Sequence, residues 1–386
     1  MIHELKKRDY SKVLPLYKEL EWNLFTRAVA EGTSPGRVYV DCVEDPRTAF
    51  MCTVEGYYLA GDDGNDEFNT SLNKLILNRI FSGDAVRKDE TDVAIGFHPN
   101  SWSDKMVTIF QGRTPLTTAR RHYVCTELLV DIWKDRVPDG FQISRIDEDL
   151  LKKPQLEIPE HVTDWMKTNW GSISGFMKKG FGFCMLHGKN FASWSLADCV
   201  SGNACEIGIH TRENCRRQGL ATLTAAAAVD YALSNKFRYV GWHCDEYNLP
   251  SIKTAEKVGF KLERKYIQYY ACSNEAHHLE ETAQTHFRAK RYREAIESYE
   301  KFFATPLEQL PNWLREALPH ELGVHYFRVA SAKAFIGDNN GALEYLENAA
   351  NNGWSEIAFL KGRKEFENLH GTLRWNRILE KMRERT

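Results

Sequence analysis

The sequence predicts an α+β protein, in which a mixed β-sheet is flanked by helices, followed by an all-α C-terminal domain of helical repeats. Two observations predict the first part. Strand and helix patterns alternate up to Cys272, and an apolar strand over 204–211 leads through a polar turn into an alanine-packed helix over 220–233. A third observation predicts the second part, because strand patterns stop after Cys272 and small residues then recur at helical spacing.

Residues 1–140 are expected to form a first domain with a mixed pattern of helices and strands. Its predicted elements are a helical stretch over 13–30, a hairpin over 37–41 and 49–53, a strand over 57–61, a helix over 68–81 and a strand over 93–97. The turn Gly61-Asp62-Asp63-Gly64 is acidic, and its carboxylates would repel a phosphate group. We therefore expect this domain to be non-catalytic and to form one wall of a substrate cleft.

The turn Val137-Pro138-Asp139-Gly140 marks the expected boundary with a second domain, residues 141–272. Its first predicted elements are a strand over 141–146, a helix from Asp147, a helix near 174–176 and a hairpin over 180–186 and 190–194. The acidic residues 147–149 suit the N-terminal end of a helix. Attraction of a polycationic amine is the alternative role for these acids.

A phosphate-binding turn is predicted between the strand over 204–211 and the helix over 220–233. A helix N-terminus presents unpaired backbone N–H groups and the positive end of the helix dipole. Gly219 keeps side-chain bulk away from these groups, and Arg216 and Arg217 add positive charge beside them. The two standard nucleotide-binding motifs, G-x-x-x-x-G-K-[ST] and G-x-G-x-x-G with a later acidic residue, are absent from the sequence. A basic helix start after a buried strand is the structural alternative.

The motif R-x-x-G-x-A at residues 216–221, with the elements after it, resembles the cofactor site of the GNAT N-acetyltransferases. These elements are a strand over 239–244, the N-x-x-S motif of Asn248 and Ser251 with a short helix, Gly259-Phe260 and a strand over 264–270. The resemblance to the GNAT fold covers residues 141–270. Short segments at 180–183, 193–194, 206–209 and 242–244 are similar to the zwittermicin A-resistance type of antibiotic acetyltransferase.

The resemblance implies acetyl-CoA as co-substrate and direct transfer of acetyl to a primary amine of a small cationic molecule, an antibiotic in a self-resistance role. It implies that two parallel strands, 205–211 and 239–244, splay apart around the thioester, with a backbone N–H near Ile209 steadying the oxyanion. Residues 1–140 would be a degenerate GNAT-like domain without a cofactor. The residues assigned to the cofactor are Ile209, His210, Thr211, Arg216, Arg217, Gln218, Gly219, Leu220, Ala221, Thr222, Asn248 and Ser251.

Two residues are candidates for the general base that removes a proton from the amine. Glu206 begins the first splayed strand, where the resemblance places a catalytic glutamate, and His243 lies on the second strand with a side chain suited to proton transfer near neutral pH. Glu206 could instead orient the strand or bind a cationic substrate, and His243 could be a hydrogen-bonded core residue. In the family, a tyrosine acts as the general acid that protonates the leaving thiolate. This sequence has Ala255 at the corresponding position, so Tyr247, Cys244 and solvent are the alternative proton donors.

Residues 273–386 are predicted to form a tetratricopeptide-like helical domain. Small and large residues recur there with an offset of 47 positions: Ala283, Phe287, Ala295 and Tyr299, then Ala330, Ala334, Ala342 and Leu346. A final helical stretch over 366–379 would cap the array. The domain is expected to contact the enzyme, another subunit or a protein partner, and a packed appendage without a binding role is the alternative.

Composition limits the other classes of function. At 386 residues with 42% hydrophobic residues, the chain is long enough for two or three packed domains. The net charge of −2 gives no reason to expect nucleic acid or a membrane as partner. The sequence has no apolar run that could span a bilayer and no apolar signal-peptide core at its start, so the cytoplasm is the expected compartment.

The nine cysteines occur singly, without a C-x-x-C pair, which favours reduced thiols over disulfides. Cys199, Cys205, His210 and Cys215 match no common metal-ligand spacing, so no metal is expected. Two other functions stay open beside acetylation of a small amine. One is acetylation of a protein amine, with the helical domain gripping the partner. The other is a scaffold protein that binds coenzyme A without catalysis. The absence of the family's tyrosine would then reflect the loss of catalysis.

Overall fold

The computed structural model describes residues 1–86, 92–129, 133–235 and 237–384, and the chain divides into two compact units, Met1–Tyr270 and Ala271–Thr386. The first unit is built around a β-sheet and the second is helical. The α+β class with a helical C-terminal region is therefore confirmed. None of the helices in the described ranges combines the length and the apolar character that a membrane-spanning segment needs.

Twelve strands of the described chain form one sheet, in the order β1-β2-β3-β4-β5-β12-β6-β11-β10-β9-β8-β7. The strands are β1 (His3–Glu4), β2 (Gly36–Val40), β3 (Thr48–Thr53), β4 (Tyr57–Gly61), β5 (Asp92–His98), β6 (Leu116–Cys125), β7 (Phe141–Arg145), β8 (Gly182–His187), β9 (Asn190–Ser201), β10 (Ala204–Thr211), β11 (Tyr239–Asp245) and β12 (Lys261–Cys272).

Eight α-helices accompany the sheet in the described part of the first unit, and six form the second. The first eight are α1 (Leu24–Ala30), α2 (Asp66–Leu75), α3 (Met106–Ile109), α4 (Glu148–Leu151), α5 (Glu160–Trp170), α6 (Ile173–Lys179), α7 (Leu220–Ser234) and α8 (Leu249–Val258). The other six are α9 (Glu275–Arg288), α10 (Tyr292–Phe303), α11 (Asn312–Phe335), α12 (Asn339–Asn351), α13 (Ile357–Lys361) and α14 (Leu373–Arg383).

The sheet contains two similar runs of strands, β1–β5 and β7–β11. The strand that follows each run in the chain, β6 or β12, is inserted next to the other run. β4 pairs with β5 in parallel, as β10 pairs with β11, while the neighbouring pairs from β1 to β4 and from β7 to β10 are antiparallel. β6 follows the first run in the chain but pairs with β11, and β12 follows the second run but lies next to β5. The sheet is therefore continuous across residue 140. The domain boundary expected there stays a prediction, as does the GNAT-like nature of residues 1–140.

The helix α7 forms the main apolar layer over the second run of strands. It packs against β8, β9, β10 and β11, and its alanines 225–228 are fully or almost fully buried. Alanine has the highest helix propensity, and its small side chain lets the helix axis approach the sheet closely. This packing fixes the first turn of α7 at the end of β10.

Most predicted elements occur where the sequence patterns place them, but the helical stretch over 13–30 is wrong as a single helix. It consists of short 3₁₀ turns, and α1 begins only at Leu24. Pro15 cannot donate a backbone hydrogen bond and interrupts a helix. Asn23 then starts a new one, because its side chain accepts a hydrogen bond from the backbone N–H of Phe25 at 3.2 Å.

The second unit is made of helix pairs joined by tight turns, with α9 and α10 as one pair and α11 and α12 as the next. Ala283, Ala295 and Tyr299 of the first predicted set are fully buried, as are Ala330, Ala342 and Leu346 of the second. Phe287 and Ala334 pack at the margins of these cores. The tetratricopeptide-like character of this unit stays a prediction.

Candidate active site

A gap opens in the sheet between β10 and β11. The two strands pair in parallel only up to Glu206, which lies opposite Gly241. Beyond that point, residues 207–211 pair with β9 and residues 242–245 pair with β6, on the outer edge of each strand. The register with β9 shifts beside Glu206, where Asp198 is the extra residue of a bulge. The two strands therefore diverge, as the resemblance implies.

The first turn of α7 lies at the end of β10 and presents free backbone donors. Among the described residues, no protein acceptor is bonded to the backbone N–H groups from Arg217 to Thr222. Gly219 has a φ of 79°, and Arg217, at 62°, also adopts the left-handed conformation. An added Cβ at Gly219 would meet nothing within 4 Å, so glycine is favoured there by its backbone conformation and not by crowding.

Glu206 is buried at the narrow end of the gap. Only 2% of the residue is exposed, and its Oε1 accepts a hydrogen bond from the backbone N–H of Leu24, the first residue of α1, at 3.0 Å. Burial raises the pKa of this carboxyl group, while nearby His122 and Arg120 oppose the rise. A carboxylate with a raised pKa is a better proton acceptor near neutral pH than an exposed one.

His243 is the immediate neighbour of Glu206. Its Nε2 lies 3.2 Å from Oε1 of Glu206 and its Nδ1 lies 2.9 Å from the hydroxyl of Tyr266. Burial lowers the pKa of His243 to about 3, so the imidazole is neutral at pH 7. With Glu206 ionised, the network assigns the ring proton to Nε2, which donates to the carboxylate, and Nδ1 accepts from Tyr266.

The family of this chain follows from its similarity to known proteins. A model of the GNAT acetyltransferase family matches residues 14–269, more than half of the chain. The chain belongs to the GNAT acetyltransferase family. It is an N-acetyltransferase, and the match extends from α1 into β12 but not over the helical unit that begins at Ala271.

Two relatives of this GNAT acetyltransferase illustrate the similarity. It is 27% identical over 272 residues to the uncharacterized N-acetyltransferase YdfB of Bacillus subtilis (strain 168), in an alignment that covers 70% of this chain and 99% of that protein. A GCN5-related N-acetyltransferase-like protein from Streptococcus suis 89/1591, known from a crystal structure, has a similar fold. The TM-score is 0.52 at 23% identity, with 68% of this chain and 98% of that chain covered.

The other predicted cofactor residues of this GNAT acetyltransferase lie around the gap with distinct local roles. Ile209, His210 and Thr211 are half-buried and pair with β9. The His210 ring stacks on Trp194 at 4.5 Å between centroids, so its side chain belongs to an aromatic cluster. Arg216, Gln218 and Gly219 are exposed in the turn, Leu220 is buried, and Ala221 and Thr222 are half-buried.

The N-x-x-S motif has a clear structural function in this fold. The side chain of Asn248 accepts a hydrogen bond from the backbone N–H of Ser251 at 3.2 Å and so caps α8. The Ser251 hydroxyl accepts a hydrogen bond from Nε1 of Trp242 at 3.0 Å. Both residues line the cavity of about 280 Å³ that also contains Glu206 and His243. The motif therefore ties the start of α8 to β11 beside the gap.

The residues that could replace the family's tyrosine as general acid differ in their surroundings. Ala255 is fully buried in α8, and its methyl side chain cannot act as a general acid. Tyr247 is 55% exposed, whereas Cys244 is buried in β11, and burial raises the pKa of its thiol. Tyr266, which sequence analysis did not single out, is the tyrosine that contacts the candidate base through His243.

A second imidazole, that of His122, lies beside the Glu206–His243 pair and was not predicted from the sequence. His122 of β6 lies opposite His243, and the two rings stack at 4.3 Å between centroids with an angle of 17°. Nδ1 of His122 lies 2.9 Å from Oε2 of Glu263. The strand β6 was not predicted because Arg120-Arg121-His122 breaks the expected apolar alternation. The pattern His-Tyr-Val-Cys at 122–125, rich in strand-forming residues, was the available signal.

The cavity beside the pair is acidic. Glu55, Asp198, Glu206 and Asp245 contribute carboxyl groups, and Arg120 is a cation among the lining residues that bonds Glu55 at 2.9 Å. Asp198 accepts hydrogen bonds from Nε1 of Trp165 and Nδ2 of Asn169, and burial raises the pKa of its carboxyl group. The carboxylates of Glu55 and Asp245 outnumber the single cation Arg120, so the cavity favours cations over anions.

Proposed function

We propose that this N-acetyltransferase transfers the acetyl group of acetyl-CoA to a primary amine of a small cationic molecule. The observation that carries the proposal is the buried Glu206–His243 pair at the narrow end of the gap, next to the free N–H groups of α7. We further propose an amine-bearing antibiotic as the acceptor, in a self-resistance role, on the basis of the resemblance in the sequence.

The free amides of residues 217–222 suit the diphosphate of acetyl-CoA. Successive unpaired N–H groups at a helix N-terminus, joined by the helix dipole, bind phosphate oxygens. The exposed side chains of Arg216 and Arg217 add charge to the same turn. The pantetheine arm would then extend along the edge of β10 that β11 leaves unpaired beyond Glu206, bonding to Ile209 and Thr211 as an added strand would.

The buried pair supplies the base. An amine arrives mostly as ammonium, and in our proposal Glu206 takes one of its protons, directly or through one water. The neutral nitrogen attacks the thioester carbonyl, and a backbone N–H near Ile209 stabilises the oxyanion. The oxyanion then re-forms the carbonyl as the carbon–sulfur bond breaks, and the second proton of the former ammonium passes from the product nitrogen to solvent. The thiolate is a tolerable leaving group near neutral pH and takes its proton from solvent, so the reaction does not depend on a dedicated acid.

Charge around the cavity supports a cationic acceptor. The carboxylates of Glu55 and Asp245 line the cavity in which the amine would approach Glu206. Arg120 lies 2.9 Å from Glu55 and 3.5 Å from Asp245, and its single positive charge offsets only one of these two carboxylates. Several amines on one molecule would therefore find carboxylate partners while one amine reacts.

A panel of amines tests the proposal. Purified enzyme is incubated with acetyl-CoA and with aminopolyol, aminoglycoside and basic peptide antibiotics, and both thiol release and the acetylated product are measured. We expect a polycationic member of the panel to respond, and its pre-acetylated form to be inert. Enzyme that binds acetyl-CoA but releases no thiol with any member would contradict a small cationic acceptor.

A further inference from the structure

Three potential metal ligands meet on neighbouring strands of the sheet. One ligand atom each of His122, Glu206 and His243 lies within 4.8 Å of the other two. The separation of 3.2 Å between Nε2 of His243 and Oε1 of Glu206 is close to the distance of about 3.3 Å between two ligand atoms of a tetrahedral Zn²⁺. Two imidazoles and one carboxylate are a ligand set that Zn²⁺ accepts, with one position left for water or a ligand.

Each imidazole has a hydrogen-bond partner on its far side. Nδ1 of His122 lies 2.9 Å from a carboxylate oxygen of Glu263, which is an acceptor only, so the ring proton is on Nδ1 and Nε2 carries the lone pair. This lone pair accepts a long hydrogen bond, 3.5 Å, from the hydroxyl of Tyr239, which a metal ion would replace. Nδ1 of His243 lies 2.9 Å from the Tyr266 hydroxyl, which can donate or accept. Partners of this kind orient metal-binding histidines in proteins.

Gly241 allows the three side chains to converge. A Cβ at this position would lie 2.8 Å from Cγ of Glu206 and 3.2 Å from Nε2 of His122. Any other residue would therefore force the carboxylate and the imidazole apart. The three side chains are also buried, since His122 is fully buried and the side chains of Glu206 and His243 are 3% and 4% exposed.

From this geometry we infer that His122, Glu206 and His243 bind a divalent transition metal ion such as Zn²⁺ in competition with proton transfer at the active site. On binding, the proton on Nε2 of His243 moves to Nδ1, where it is donated to the oxygen of Tyr266, and Nε2 becomes a ligand. The ring stays neutral and no other proton has to leave. The metal then takes the Glu206 lone pair that His243 releases, and its positive charge lowers the basicity of the carboxylate that would accept the proton of the amine. The binding stands on the geometry alone, while the inhibition rests on the proposed function.

Cobalt provides the probe, because Co²⁺ replaces Zn²⁺ and absorbs visible light strongly when its coordination number is low. Chelator-treated full-length protein is titrated with Co²⁺, and Zn²⁺ is then added. We expect saturation at one Co²⁺ per chain with an intense visible band, which Zn²⁺ abolishes. Absence of such a band at stoichiometric Co²⁺ would overturn the inference.

Variants assign the ligands. His122→Gln should lose the stoichiometric band, whereas His187→Gln, which changes an exposed histidine stacked on Phe141, should keep it. Glu263→Gln keeps all three ligands but removes the partner of His122, and should weaken Co²⁺ binding about 10- to 100-fold. A band of unchanged affinity in folded His122→Gln would overturn the assignment. If His122→Gln does not fold, unchanged affinity in Glu263→Gln has the same consequence.

Enzyme assays separate this inference from the proposed function. With an amine that is acetylated, Zn²⁺ should inhibit at concentrations that match its dissociation constant from Co²⁺ competition, and a chelator should restore the rate. Binding without inhibition would overturn the competition between metal and proton. Failure of every amine to react would instead contradict the proposed function, and the cobalt spectrum would still decide the metal site.

Discussion

Oε1 of Glu206 lies 3.2 Å from Nε2 of His243, so the two residues that compete as candidate bases in the sequence form one hydrogen-bonded pair. The pair is anchored at both ends. Leu24 donates its backbone N–H to Glu206, and the Tyr266 hydroxyl lies 2.9 Å from Nδ1 of His243. The imidazole is neutral at pH 7, so in our proposal the carboxylate takes the proton and the histidine orients it.

Substitution of Glu206→Gln should lower kcat about 100-fold or more, the contribution expected of a general base. The KM for acetyl-CoA should hardly change, because the amide keeps the shape of the side chain and the free amides of α7 are untouched. Steady-state kinetics with a responding amine measure both quantities. Glu256→Gln, at an exposed position of α8, is the matched control and should behave like the wild type. A Glu206→Gln enzyme that keeps a tenth of the rate would exclude this residue as the base.

The double variant Glu206→Gln/His243→Gln tests whether the pair acts as one unit. If His243 works only through Glu206, its substitution should lower the rate by itself but add little once the carboxylate is gone. The double variant should therefore be about as slow as Glu206→Gln alone. A rate reduced by the product of the two single effects would show that His243 acts independently.

The turn before α7 gives a prediction about cofactor affinity. Gly219→Ala should raise the KM for acetyl-CoA several-fold, because φ of 79° costs an alanine roughly 1 kcal/mol and the turn relaxes away from its present shape. Gly202→Ala is the matched control, since Gly202 also has a positive φ, 57°, and open space around its Cα. It should lose similar stability in thermal unfolding without any change in this KM. Equal KM values for the two variants would argue against a cofactor role of the turn.

How much the sequence could predict depends on how local each feature is. The strand β10, the turn and α7 follow one another in the chain, so their local pattern carries the resemblance to the GNAT cofactor site, and that resemblance placed the gap along β10. The contact of Glu206 with Leu24 spans 182 positions and has no local pattern. β6 was missed for a related reason: Arg120 and His122 turn towards the cavity and the buried pair, so polar residues occupy positions where an isolated strand pattern requires apolar ones.

The helical unit yields a prediction about pH. Burial, together with Glu281 and Glu321, raises the pKa of Glu280 to about 7, against an ordinary value of 4.5. The folded state therefore prefers the protonated carboxyl group, and the stability that this provides is complete below pH 4.5 and lost as the pH rises through 7. A glutamine stays neutral, so Glu280→Gln should stabilise the protein at pH 8 by about 1–3 kcal/mol and hardly at pH 4.5.

Calorimetric unfolding of full-length protein at the two pH values measures this effect. Glu294→Gln, at an exposed position of α10, is the control and should show no such dependence. A stabilisation by Glu280→Gln that is equal at pH 4.5 and pH 8 would contradict a carboxyl group that titrates near neutrality in the folded protein.

In our proposal, the N–H groups of residues 217–222 hold the diphosphate of acetyl-CoA. Isothermal titration calorimetry with acetyl-CoA and with acetyl-pantetheine, which lacks the nucleotide and its diphosphate, tests it most directly. We expect saturable binding of one acetyl-CoA per chain and much weaker binding of acetyl-pantetheine. We also expect a loss of acetyl-CoA affinity in Gly219→Ala. Absence of heat with acetyl-CoA, or equal affinity for the two thioesters, would contradict it.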